Sequence, residues 1–175
     1  EVETEFAETA IISSHSAYEV DGDKLIKATT YADGTIITGK RPLPLNNELE
    51  IDEDLVYLFG RWLGDGCITH RTGTDIPSGI KIVFNLEELA DAEEIATIIE
   101  DKFGISADIK LSSTERWYDL WVNSMSVGEF FKSFLGYYSH SKIMPEVLMR
   151  LADEHTIALL RGLFRADGYI SKNNI

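Results

Sequence analysis

The sequence of 175 residues predicts an α+β fold in which helices alternate with antiparallel pairs of strands. Three observations carry that reading. From Asp52 to Gly66 the apolar residues Leu55, Leu58, Phe59, Trp62 and Leu63 recur at helical spacing. Between that helix and the next two lie two pairs of β-prone runs, giving the order helix, strand, strand, helix, strand, strand, helix over 52–137. The helix ending Asp65-Gly66 then returns as Asp167-Gly168, about 100 residues later, the length of one small α/β repeat.

The first 47 residues differ in texture from the rest. In "AYEVDGDKLIKATTYADGTIITGKRPLPL", β-prone runs alternate with turn signals at Asp21-Gly22 and Asp33-Gly34 before Pro42 and Pro44. This predicts a β-rich segment over 1–47 that ends in a short extended linker. Asp52 is placed to cap the following helix, because its carboxylate can accept from the unpaired N–H groups of the first turn. "GCITHR" and "GIKIVFN" read as two strands joined by a loop with Gly73, Pro77 and Gly79. The next helix turns Ile95, Ile98, Ile99 and Phe103 to one side and ends at Gly104. "ISADIKLSS" and "RWYDLWVNS" make the second strand pair. Ser126 opens a helix with Phe130, Phe131, Phe134 and Leu135 toward the core, and "DEHTIALLRGLFRADG" forms the last helix. The chain therefore divides into 1–47, a complete unit over 48–150, and the start of a second unit over 151–175.

A content of 44% hydrophobic and 26% charged residues suits a globular chain with one core or two small ones. Charge interrupts the longest apolar stretches, and "EVETEFAE" lacks the basic start and apolar run of a secretory signal, so no membrane partner is expected. Cys67, the single cysteine, cannot form an internal disulfide or hold zinc by itself, which points to a reducing, cytoplasmic setting. His15, His70, His140 and His155 make no metal-spaced set with it. The net charge of −14 opposes nucleic-acid binding on average, because phosphate contacts need Lys and Arg. An acidic chain can still carry a locally basic face, and Lys81, Lys110 and Arg116 fall within the predicted strands.

"LFGRWLGDG" (58–66) and "LRGLFRADG" (160–168) end alike. Gly60 and Gly64 in the first, and Gly162 and Ala166 in the second, stand four residues apart on one helical face. Small residues at that spacing allow two helix backbones to approach closely. If the helices pack on this face, Asp65 and Asp167 arrive side by side, each opposed by the negative end of its own helix dipole. Two such carboxylates repel, and a divalent metal relieves the repulsion. Mg²⁺ takes oxygen ligands and commonly combines one or two carboxylates with substrate phosphate oxygens, a setting for metal-assisted phosphodiester hydrolysis.

These two stretches resemble the paired motifs of the LAGLIDADG homing endonucleases. "SKIMPEVL" before the second copy is similar to the Lys-x-Ile-Pro stretch of the intein-borne branch, with Met144 standing between Ile143 and Pro145. The resemblance implies an αββαββα subdomain, packed motif helices and an antiparallel saddle-shaped sheet laid on double-stranded DNA. It implies that Asp65 and Asp167 bind Mg²⁺, with Gly64 and Ala166 beside them, and direct cleavage of one strand each. It further implies that Lys142 helps activate the attacking water or stabilises charge near the scissile phosphate. The DNA-facing candidates are Thr69, Arg71, Lys81, Val83, Lys110, Ser112 and Arg116. Trp117 and Trp121 are further candidates for that face, with a place among the core aromatics the stronger expectation.

The likeness covers about residues 50–175. Seven residues follow Gly168, so the second subdomain is expected to be truncated and this segment alone is not expected to make an efficient specific double-strand cut. The start at Glu1 and the "NNI" ending lack splice-junction residues, so self-splicing is not expected. The remainder of an intein or host chain is the implied partner. A non-catalytic DNA-binding or structural remnant of the same fold is the alternative function.

Overall fold

The structure is a computed structural model that describes residues 10–13, 16–21, 24–28, 48–137 and 140–168. The Asp33-Gly34 turn, the Pro42–Pro44 linker, His15 and the run after Gly168 lie outside the described residues. Strands β1 (Ala10–Ser13), β2 (Ser16–Asp21), β3 (Lys24–Ala28) and β4 (Glu48–Glu50) form one antiparallel sheet in sequence order. Strands β2 and β3 pair antiparallel with Asp21 opposite Lys24, and Gly22 of the Asp-Gly signal lies outside the described residues. Strand β4 closes this sheet on β3, and Leu49 within it is buried in the main core.

Helix α1 (Glu53–Asp65) begins where Asp52 Oδ1 accepts from the Leu55 N–H at 2.9 Å, and Lys102 reaches the other Asp52 oxygen. Strands β5 (Gly66–His70) and β6 (Pro77–Asn85) follow, then α2 (Leu89–Phe103), β7 (Asp108–Leu111), β8 (Trp117–Val122), α3 (Met125–Leu135) and α4 (Asp153–Asp167). Helix α2 stops at Gly104, which adopts the left-handed φ of +61° that a residue without Cβ reaches at little cost. The second sheet is antiparallel throughout in the order β5-β6-β8-β7.

Strand alternation gives this sheet two unlike faces. Ile68, Ile80, Ile82, Phe84, Leu120 and Val122 are buried with the apolar residues of α1, α2 and α3. An aromatic cluster of Phe59, Trp62, Phe103, Phe130, Phe131 and Phe134 fills the space between the helices, with ring centroids 5.2–6.0 Å apart. The opposite face carries Thr69, Lys81, Val83, Asp119 and Trp121, all partly accessible. Trp117 and Trp121 thus lie on the open face and outside the core. Their β-strand parity, shared with Asp119 and opposite to Leu120 and Val122, puts them there. No helix of the described residues is long and apolar enough to cross a membrane.

Candidate functional site

Helices α1 and α4 meet through their small residues. A Cβ on Gly60 would lie 2.2 Å from the Leu159 carbonyl oxygen, and one on Gly162 would lie 2.3 Å from the Tyr57 carbonyl oxygen. One turn on, a Cβ on Gly64 would fall 2.2 Å from the Ala166 Cβ. Backbone therefore faces backbone at the first crossing point, and Ala166 fits only because position 64 has no side chain. Arg161 stacks on the Tyr57 ring at 4.6 Å, and Arg165 pairs with Asp91 of α2, so α4 is also tied at its flanks.

This crossing delivers Asp65 and Asp167 to the same end of the helix pair. The Cβ position at Gly64, next to Asp65, is 3.3 Å from Asp167 Oδ2. Burial pushes the Asp65 carboxyl above its ordinary range; Arg61 opposes the rise, Asp167 and Glu88 add to it, and Lys142 opposes it again. The charge on Asp167 is thus felt at Asp65, although Asp167 is itself exposed. Among the described residues no group of three or more His, Cys, Asp and Glu side chains is spaced for a metal ion.

Lys142 comes to this site from a distant loop. The Ile143 N–H donates to the Leu135 carbonyl at 3.0 Å, which clips the loop to the end of α3. The Lys142 Nζ then donates to the carbonyl oxygens of Trp62, Leu63 and Gly64 at 3.0, 2.9 and 2.9 Å. These are carbonyls of the last turn of α1, where helix geometry leaves backbone acceptors short of donors; the Trp62 carbonyl also accepts from the Gly66 N–H. An ammonium has three N–H donors and no acceptor, so all three are committed here. Desolvation lowers the Lys142 pKa, against the opposing pull of Cys67, Asp167 and Asp65. The cation also sits 5.0 Å from the Trp62 ring centroid. The adverse dipole at the end of α1 is therefore met by a partly buried positive charge, which offsets the cost of placing Asp65 there.

Arg61 completes the surroundings, and nothing in the motif reading singled it out. It is fully buried, with its guanidinium carbon 4.6 Å from the Phe84 ring centroid. Its Nη1 lies 3.9 Å from Asp65 Oδ2 and 3.8 Å from Glu88 Oε1. The available signal was its offset of one helical turn from Asp65 within an otherwise apolar stretch. Glu88 had no such local signal, because it reaches the site from the turn after β6.

The sheet candidates are dispersed. Thr69 and Lys81 lie on the open face; the Thr69 hydroxyl accepts from Ser78, and Lys81 pairs with Asp119 at 3.3 Å while sitting 5.3 Å from the Trp121 ring centroid. Lys110, on the edge strand, pairs with Asp108 at 3.6 Å. Arg71 is exposed in the β5–β6 loop, and Arg116 is exposed in the β7–β8 turn. Ser112 is buried in that turn, where its Oγ accepts from the N–H groups of Arg116 and Trp117 at 3.1 and 3.3 Å. The His70 ring packs edge-on against Tyr137, and His155 is half-buried on α4.

No family model matches the sequence. Over 131 residues the chain is 25% identical to the uncharacterized protein MJ1054 of Methanocaldococcus jannaschii, covering 73% of this chain and 14% of that protein. Among solved structures, the chain is similar to mesophilic variants of the homing endonuclease I-DmoI, with a TM-score of 0.45 and 21% identity over 65% of this chain and 60% of that one. It is also similar to I-DmoI in complex with DNA and Mn, with a TM-score of 0.45 and 21% identity over 65% of this chain and 61% of that one. The chain therefore spans less than two thirds of these solved chains and a small part of the archaeal protein.

Proposed function

We propose that this chain is part of an intein-encoded homing endonuclease of the LAGLIDADG type, which makes a metal-dependent, sequence-specific double-strand break in DNA. The observation that carries the reading is the convergence of Asp65 and Asp167 where two glycine-packed helices end together. Two carboxylates held in mutual repulsion, one lifted by burial, fit a divalent cation that takes its remaining ligands from phosphate and water. Asp65 and Asp167 would hold Mg²⁺ beside the backbone of Gly64 and Ala166. When bound, the metal would acidify a coordinated water and draw charge from the phosphodiester. Lys142 supplies fixed positive charge at the end of α1, and with its three N–H donors occupied it acts on the phosphate through its field.

In this reading the open face of β5-β6-β8-β7 is the DNA-facing saddle, with Thr69, Arg71, Lys81, Lys110 and Arg116 toward the duplex and Ser112 shaping the turn that carries Arg116. Residues 48–150 are the first subdomain and 151–175 begin the second, while 1–47 belong to the splicing domain or to a DNA-contacting insert. The working protein would be cytoplasmic and joined to the rest of its intein.

One observation favours a second reading, a non-catalytic structural or DNA-binding module on the same scaffold. Lys81 and Lys110 are each matched by a neighbouring aspartate, which removes much of the positive field a DNA-facing sheet needs. Divalent titration separates the two readings. A carboxylate pair that binds Mg²⁺ or Ca²⁺ gains thermal stability with metal, and Asp65→Asn or Asp167→Asn removes that gain. In the full-length protein the same substitutions should abolish DNA cleavage and leave DNA binding in place. Cleavage that survives the double substitution would rule out the nuclease assignment.

A further inference from the structure

We infer that Arg61 is a positioning residue that acts as a resident counter-cation for Asp65, and that Glu88 takes over its charge when a divalent metal engages that carboxylate. The inference rests on the metal-site reading above and concerns what occupies Asp65 before metal arrives.

Three features of Arg61 carry it. The side chain is fully buried, yet Nε, Nη1 and Nη2 have no hydrogen-bond partner among the described residues. Its Nη1 stands 3.9 Å from Asp65 Oδ2 and 3.8 Å from Glu88 Oε1, beyond hydrogen-bonding distance of either. The guanidinium is thus shared between two carboxylates and committed to neither. The Phe84 ring fixes it from one side by a cation–π contact.

Glu88 is the immobile end of this arrangement. Its Oε2 accepts from the Asn85 N–H at 2.8 Å, which leaves Oε1 toward Arg61. A metal that draws off the Asp65 charge leaves Arg61 with a fixed partner and only a short movement to make. A buried guanidinium without Glu88 would instead be left as an uncompensated charge.

Among the described residues the arrangement exists on one side of the site only. Aligned on their closing Asp-Gly, "LFGRWLGDG" and "LRGLFRADG" place Leu163 where α1 has Arg61. The Arg165 of α4 pairs with Asp91, away from Asp167. Among the described residues the two aspartates are therefore inequivalent: Asp65 has a guanidinium 3.9 Å from its carboxylate and Asp167 has none, while Lys142 acts on both.

Calorimetric titration of the full chain with Mn²⁺ tests the inference, with Asp65→Asn/Asp167→Asn as the control for the site. Arg61→Met/Glu88→Gln removes both charges, so the net charge of the pair stays zero while the competing cation disappears. Replacing a buried ion pair by apolar groups of similar volume is often tolerated. Mn²⁺ should bind this variant about tenfold more tightly, ~1.4 kcal/mol. Arg61→Gln, which keeps polar contacts with Glu88 and serves if the double variant does not fold, should shift affinity the same way. Arg61→Lys keeps the charge and should stay closer to the original affinity than either neutral variant. A purely structural role would lower the melting temperature without this ordering. Unchanged or weaker binding in the neutral variants, with binding still abolished by the double asparagine control, overturns the role of Arg61 alone. Absent binding in the original chain, or binding that survives the control, overturns the metal site and this inference together.

Discussion

Gly60 and Gly162 stand back to back, with the position of a Cβ on Gly60 only 3.0 Å from the Gly162 Cα. The approach of α1 to α4 is set here, and with it the meeting of the two aspartates. Alanine is the better helix former by about 1 kcal/mol, so intrinsic propensity alone would make Gly60→Ala stabilising. The packing argues the reverse, because the new methyl meets backbone that cannot rotate away. Gly60→Ala and Gly162→Ala should each destabilise by at least about 2 kcal/mol. Urea unfolding checks this, and a stability gain in either variant would show that the helices are not locked at this point.

Lys142→Met should weaken the protein by about 1–3 kcal/mol, since three charge-assisted hydrogen bonds are lost in a partly buried place and only the Trp62 carbonyl keeps a backbone donor, the Gly66 N–H. Lys142→Arg should recover little of the loss, because a planar fork cannot aim three donors from one atom at three converging oxygens. Thermal melts of the two variants distinguish this from a simple charge effect, which arginine would restore.

Asp65→Asn should raise the melting temperature of the metal-free protein by about 2–4 °C at neutral pH, the size expected for a ~1 kcal/mol change in a chain of this length. The sign follows from the raised carboxyl pKa. A carboxyl that holds its proton more tightly in the folded state contributes stability at low pH, and that contribution is lost as pH rises through its folded value. The asparagine variant should therefore gain most at neutral pH and least in acid. An equal gain at all pH values would remove the electrostatic explanation.

Metal-dependent activity of the full-length protein should be bounded by the same two groups. Asp65 must lose its proton to bind a cation, so at sub-saturating metal the acid limb should lie above the ordinary aspartate value of 3.8, and rising metal should move it down. Lys142 must keep its proton to hold three carbonyls, so the alkaline limb should lie below the ordinary lysine value of 10.5. A pH–rate profile with limbs at the unshifted values would contradict this assignment.

Asp119→Asn should strengthen DNA binding and make it more sensitive to salt, by freeing Lys81 from its 3.3 Å ion pair. Each phosphate newly engaged should steepen the slope of log K against log salt by about 0.9. Filter binding across a salt series gives that slope. An unchanged slope would mean that this face does not meet the duplex.

The sequence by itself determined the elements and the ends of the helix pair. Helical spacing from Leu55 to Leu63, the Asp52 cap, Gly104, and the matched small residues before Asp65 and Asp167 are local signals, and local backbone preferences realise them as such. Tertiary structure alone decided what surrounds the acids. A two-residue period fixes which strand residues share a face, but not which face is covered, so the outward placement of Trp117 and Trp121 awaited the packing of α1, α2 and α3 beneath the sheet. Lys142 answers the dipole of a helix about 80 residues earlier, and Glu88 reaches Arg61 from another element. Such contacts leave no periodic trace along the chain, because the energy that selects them exists only once the core has formed.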